Sequence, residues 1–184
     1  MLDPLDEEDR VKTSIVRFHV LCAVALVLGA ADQPPGHAAL EPKKDRHAAP
    51  ELALEDSAGK TMTLKNYRGK VVLLDFWATW CHGCVKEIPW FADFEKTYGA
   101  KGLAVVGVSM DKGGWNVVKP FLAENQVPYR MLLGNEATAK RFGIESLPDT
   151  FLIDRKGKVA AAYRATLVDK DDVEVKIKAL LAKK

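Results

Sequence analysis

The stretch Lys70-Val71-Val72-Leu73-Leu74-Asp75-Phe76-Trp77 constrains this chain most, because its apolar residues run on without alternation. A strand with one wet face alternates apolar and polar residues, whereas a strand covered on both faces carries a nearly continuous apolar run. Such a strand belongs in the middle of a sheet. Leu103–Ser109 is a second run of this kind. Between them a helix is predicted from about His82, with Ile88, Phe91, Phe94 and Tyr98 roughly on one face and Gly99 and Gly102 at its end. Further on, the pattern predicts a helix over 117–125, a short strand at Arg130–Leu133 and a short helix at Glu136–Phe142. Strands at 150–153 and Val159–Tyr163 flank the turn Asp154-Arg155-Lys156-Gly157, a β-hairpin signal. A last helix begins near Asp169, with Val173, Ile177, Leu180 and Leu181 as its apolar stripe. Upstream, Leu52 and Leu54, a turn at 56–60 and residues 61–64 predict a short hairpin. The fold class is therefore α/β, with a central mixed β-sheet, helices on both faces and an N-terminal β-hairpin extension.

Residues 1–31 are a different kind of sequence. The uninterrupted apolar run from Val20 to Ala31 suits the core of a secretory signal and is shorter than a full bilayer span. Lys12 and Arg17 give the positive flank, and Gly29-Ala30-Ala31 the small residues a peptidase needs. Tilting and snorkelling also suit it to an uncleaved membrane anchor, so both readings stand. Five acidic groups in the first ten residues do not fit a signal, and a biological start near Val11 is the expectation that would explain them. Residues 32–48, rich in proline and without periodicity, read as a linker, and 49–184 as the folded domain. Beyond residue 31 the chain has 24 basic and 20 acidic side chains, and no basic cluster is dense enough for nucleic-acid binding.

The chemistry is carried by Trp80-Cys81-His82-Gly83-Cys84. A Cys-x-x-Cys pair between a buried strand and a helix is a compact redox pair. At a helix N-terminus the first thiol faces unpaired N–H groups and the positive end of the dipole, both of which favour thiolate. Cys81 is therefore the expected nucleophile and Cys84 the shielded resolving thiol. Protonated His82 would lower the Cys81 pKa further. A zinc site needs more ligands than this domain offers, since His19, His37 and His47 lie outside it. Covalent haem attachment needs a histidine where Val85 stands. A purely structural disulfide remains as the plain alternative. No cofactor or metal is expected.

Residues 49 to 164 resemble the thioredoxin superfamily, specifically the TlpA/ResA-type thiol-disulfide oxidoreductases. The resemblance is carried by Ala49-Pro50, by Gly69-Lys70 through Trp80-Cys81, and by Cys84-Val85-Lys86-Glu87-Ile88-Pro89. It continues in Val105-Val106-Gly107-Val108-Ser109, Phe142-Gly143-Ile144 and Leu147-Pro148-Asp149-Thr150-Phe151-Leu152-Ile153-Asp154. Residues 110–133 resemble the insertion that separates this group from plain thioredoxin. The resemblance implies a thioredoxin-like fold and a cis-proline at Pro148 facing the cysteines. It implies a buried acid, Asp75, able to relay the proton of Cys84, and a second active-site acid, Glu87. It makes Leu147, Pro148 and Trp80 the expected substrate-binding residues, with Pro89 kinking the helix and Trp77 and Trp80 packing beside the disulfide. Gly83 departs from the pattern, since many relatives have proline there.

The implied role is an extracytoplasmic, periplasmic or membrane-anchored enzyme that reduces protein disulfides, apocytochrome c among them, and is recharged by a membrane thiol donor. Two other readings stay open: a thiol peroxidase of the peroxiredoxin-like branch, and a non-catalytic metallochaperone or assembly module. The third cysteine, Cys22, falls in the targeting segment, away from this chemistry.

Overall fold

The computed structural model describes residues 34–182, so the targeting segment expected over 1–31 lies outside the described residues. In chain order the elements are β1 (Ala53–Glu55), β2 (Thr61–Thr63), β3 (Val71–Trp77), α1 (His82–Tyr98), β4 (Leu103–Ser109) and α2 (Trp115–Glu124), followed by β5 (Arg130–Leu133), α3 (Glu136–Phe142), β6 (Asp149–Ile153), β7 (Val159–Tyr163) and α4 (Lys170–Leu181). Five strands form one sheet in the order β5-β4-β3-β6-β7, and β1 pairs with β2 in a separate hairpin. β3 runs parallel to β4 and antiparallel to β6, so the sheet is mixed. The continuous apolar run sits at its centre, buried at every position.

The two faces of β3 serve two cores. Val71, Leu73 and Trp77 point to one side, against Cys84, Ile88 and Phe91 of α1, Val118 of α2, and Val173, Ile177 and Leu180 of α4. Val72, Leu74 and Phe76 point to the other, against Leu52, Leu54 and Met62 of the hairpin and Phe142 of α3. Asp75 takes its place in the first series, facing α1. Among the described residues no helix is long and apolar enough to cross a membrane.

Three of the differences from the sequence-based bounds have a visible cause. β2 stops at Thr63 because the Asn66 side chain takes both the Thr63 N–H (2.7 Å) and its hydroxyl (2.9 Å), starting a 3-10 turn. α2 begins at Trp115, since Gly113-Gly114 conceals its first two residues from any periodic pattern.

The third difference is larger. Residues 34–48, expected as a linker, lie bonded along the domain. Glu41 N–H donates to the Ala160 carbonyl (2.8 Å), Val159 N–H to that of His47 (2.9 Å), and Ala49 N–H to that of Gly157 (3.0 Å). The segment covers β7, the strand at the sheet edge, and so pairs backbone groups that would otherwise stay open. Backbone pairing of this kind needs no apolar periodicity, which is why the composition reads as a tether.

Candidate active site

The redox pair is set where β3 ends and α1 begins. The loop between them is tied down by Asp111, just beyond β4. Its carboxylate accepts the Thr79 N–H (3.0 Å), the Thr79 hydroxyl (2.6 Å) and the Ser109 hydroxyl (2.8 Å). Cys81 is the N-cap of α1, with φ −83° and ψ 97°, and its Sγ accepts the N–H of Cys84 at 3.3 Å. Cys81 and Cys84 are joined as a disulfide, with their Cα atoms 5.3 Å apart. Cys81 is 7% exposed and Cys84 is fully buried, so an incoming thiol or disulfide meets Cys81. Once reduced, the Cys81 sulfur would sit at the positive end of the helix with an N–H already aimed at it, both of which favour thiolate.

Behind the pair lie two acids. Asp75 and Glu87 are both completely buried. Asp75 Oδ1 accepts the Thr150 hydroxyl at 3.2 Å, and Glu87 Oε1 accepts the Val168 N–H at 2.7 Å. Their second oxygens, Asp75 Oδ2 and Glu87 Oε2, have no hydrogen-bond partner among the described residues. Burial pushes Asp75 up to about 7, against the Thr150 hydroxyl and with help from the charge of Asp149. Burial and the charge of Asp75 push Glu87 up to about 9, against the Val168 amide. Both carboxyls therefore hold their protons more tightly than ordinary acids, and ionising one raises the cost of ionising the other. Tyr129 and Trp77 belong to the same apolar face, and the Tyr129 hydroxyl and Trp77 Nε1 are also buried without partners. Burial, then the charges of Asp75 and Glu87, hold the Tyr129 hydroxyl well above its ordinary value.

Pro148 is buried and follows Leu147 through a cis bond. It faces the pair: a Cβ placed on Gly83 would lie 3.5 Å from Pro148 Cδ. A side chain at position 83 would thus rest in ordinary contact with Pro148. Leu147 is half-buried. Just after Pro148, Asp149 is held by the Arg164 guanidinium (3.0 Å) and the Ala165 N–H (2.5 Å).

The fold brings Cys81, Cys84, Asp75 and Glu87 to one face and sets Pro148 against the loop between the cysteines. Trp80 differs from the expected packing. It is 65% exposed beside Cys81, while Trp77 is buried below. Pro89 lies within α1, where it removes one backbone donor. The sequence reading missed Asp111, Thr150, Tyr129 and the Val168 amide. Asp111 had a signal, since sites in such sheets gather beyond the carboxyl ends of parallel strands. The Val168 amide had none, because every non-proline residue has one.

The sequence profile of the AhpC/TSA family matches residues 46–162. The thiol-disulfide oxidoreductase ResA of Geobacillus thermodenitrificans (strain NG80-2) is 32% identical over 124 residues, 67% of this chain and 71% of that protein. ResA of Bacillus subtilis (strain 168) is 30% identical over 155 residues, 84% of this chain and 86% of that one. A crystal structure from Chlorobium tepidum, assigned as a thiol:disulfide interchange protein DsbE, matches with a TM-score of 0.66 at 33% identity. That match covers 82% of this chain and 99% of the other.

Proposed function

This chain belongs to the AhpC/TSA family and to the ResA-type thiol-disulfide oxidoreductases of thioredoxin-like fold, and from that premise we propose that it acts as a reductant of protein disulfides outside the cytoplasm. The observation that carries the reading is the Cys81–Cys84 pair at the N-terminus of α1, with Cys81 as the reachable sulfur and two buried carboxyls behind Cys84 that can take its proton. The reducing direction is the part of the proposal that the resemblance to the ResA-type enzymes implies.

The proposed steps are these. The Cys81 thiolate attacks one sulfur of a substrate disulfide, and the other substrate sulfur leaves as a thiolate that takes a proton from water. Cys84 gives its proton to whichever of Asp75 and Glu87 is ionised and attacks Cys81 Sγ. The second substrate sulfur then leaves, two electrons have passed to the substrate, and the pair is a disulfide. A thiol donor at the membrane would restore the dithiol. An apocytochrome c awaiting haem is the substrate class proposed, with Leu147, Pro148 and exposed Trp80 as its landing place. Residues 1–31 are proposed as the export signal or anchor that puts the enzyme in its compartment.

The test is covalent trapping. A Cys84→Ser variant should accumulate mixed disulfides with exported proteins, and a Cys81→Ser control none. Failure to trap any protein, together with a reduction potential below about −300 mV, would favour the assembly-module reading. The family match is the observation that favours a thiol peroxidase; consumption of hydrogen peroxide no faster than by Cys81→Ser removes that activity.

A further inference from the structure

A line of contacts runs from the N-terminal arm to Glu87. Gly36 is buried with φ +82°, and its carbonyl accepts the Asp169 N–H at 2.8 Å. A Cβ at this position would lie 2.8 Å from the Leu167 carbonyl oxygen and 2.9 Å from the Asp169 nitrogen. Both are backbone atoms that cannot swing aside. Next to it, His37 Nδ1 stands 3.1 Å from Asp172, with Asp169 at 3.9 Å from Nε2. The arm thus closes over residues 167–169, between β7 and α4. The middle residue, Val168, is 2% exposed and points its N–H inward to Glu87 Oε1. This loop belongs to no helix or strand that would fix its position from within.

We propose that Gly36 and the arm around it are a positioning device for Glu87: by pinning residues 167–169 they keep the Val168 N–H on the carboxyl that serves Cys84. The proposal rests on the reading of Glu87 as a proton-handling group for Cys84. A hydrogen bond to a carboxylate favours its charged form. When the arm is loosened, Glu87 keeps its proton to higher pH. The other groups facing this region are Asp75 on β3, Tyr129 ahead of β5 and Cys84 on α1. On α4, Asp172 is engaged by Lys176 and Tyr163.

The test is the pH profile of turnover of a dye-labelled disulfide peptide by the full chain, its Gly36→Ala and Glu87→Gln variants, and the double variant. Gly36→Ala should move the ascending limb, along which Glu87 becomes ionised and able to accept a proton, up by about one pH unit, the size expected for one hydrogen bond to a charged group. His37→Ala should move it the same way by less, and this exposed change keeps the test alive if Gly36→Ala does not fold. Neither should move the profile in the Glu87→Gln background. Amide exchange at Val168 should quicken at least tenfold in Gly36→Ala. An equal shift in both backgrounds overturns the proposal, and so does an unmoved profile despite faster exchange at Val168. A Glu87→Gln profile identical to that of the parent chain removes the role of Glu87 itself, and the arm's role with it. An altered Glu87→Gln profile beside unmoved arm variants removes the arm alone.

Discussion

Asp56 and Asp154 open two turns of one pattern, Asp-x-x-Gly-Lys, while Asp75 and Glu87 lie under the redox pair; all four are nearly or wholly buried. In each turn one carboxylate oxygen accepts the amides two and four residues on: Ala58 and Lys60 at 3.0 Å, Lys156 at 2.9 Å and Lys158 at 3.0 Å. The other oxygen meets a guanidinium, Arg130 or Arg46. The Lys60 amide, outweighing burial, holds Asp56 below the ordinary carboxylate range; burial of Asp154 is likewise overcome by the Lys158 amide and Arg46. Among the described residues Asp75 and Glu87 have one donor each, and burial pushes them up. Burial alone therefore does not decide the charge of an acid. The number of donors aimed at it does.

The two groups should govern opposite arms of the stability curve. Asp56 and Asp154 lose protons more easily folded than unfolded, so their contribution is complete above pH 4 and disappears as pH falls through their lowered values. Asp75 and Glu87 hold protons more tightly when folded. Their cost grows as pH rises from the ordinary 3.8 and 4.5 to about 7 and about 9. The largest expected effect breaks the first group. Arg46→Ala leaves a buried carboxylate short of its cation and should cost about 3–5 kcal/mol at pH 7. Urea denaturation should show that cost shrinking toward pH 3, as Asp154 takes up a proton. A flat cost across that range would mean that packing of Arg46, not its charge, holds the arm.

Asp75→Asn tests the second group and should have opposite signs for stability and activity. It removes a charge that the fold does not accommodate, so stability at pH 9 should rise by roughly 2–4 kcal/mol, about 1.4 kcal/mol per unit of displaced titration. Below about pH 3, where the carboxyl is neutral both folded and unfolded, the gain should vanish. Turnover should fall on the order of 10²-fold, the usual worth of a positioned proton acceptor. A gain in stability without loss of turnover would leave Glu87 as the sole acceptor.

The turn acids were legible in the sequence, because everything that sets their charge except the arginine lies within four residues. The site acids were legible as positions and not as environments. Asp75 and Glu87 stand in the strand and helix patterns, yet the donors they meet among the described residues come from 75 and 81 positions away. The same limit explains the arm. Residues 34–48 dock through backbone amides and one buried arginine, and neither leaves a periodic trace. Buried strands and helix faces were read nearly to the residue because their signal is repeated along the element. The exposure of Trp80 was missed because its neighbours in sequence do not say which way a loop indole turns.

The turn glycines offer a smaller effect that sharpens the likeness between the two turns. Gly59 and Gly157 have φ of +78° and +73°, a region a side chain enters at a cost. Gly59→Ala meets no atom within 4 Å and should cost only that conformational term, about 1 kcal/mol in thermal denaturation. Gly157→Ala would bring its Cβ 2.8 Å from Arg68 Nη1, which donates to the Lys156 carbonyl in the same turn. Its cost should exceed that of Gly59→Ala by the worth of one exposed hydrogen bond. Equal costs would show that the Arg68 contact adds nothing.

Trp80→Ala should have the smallest effect on stability, and it separates scaffold from site most cleanly. The ring is 65% exposed, so truncation leaves no cavity and should change stability by less than about 0.5 kcal/mol. Aromatic rings are the residue type that interfaces favour, and this one stands next to Cys81, where a docked protein substrate would cover it. KM for a protein disulfide should therefore rise several-fold, with kcat nearly unchanged, while a small disulfide that cannot reach the ring should show no difference. A matching rise in KM for the small disulfide would mean that the indole shapes the surroundings of Cys81 itself.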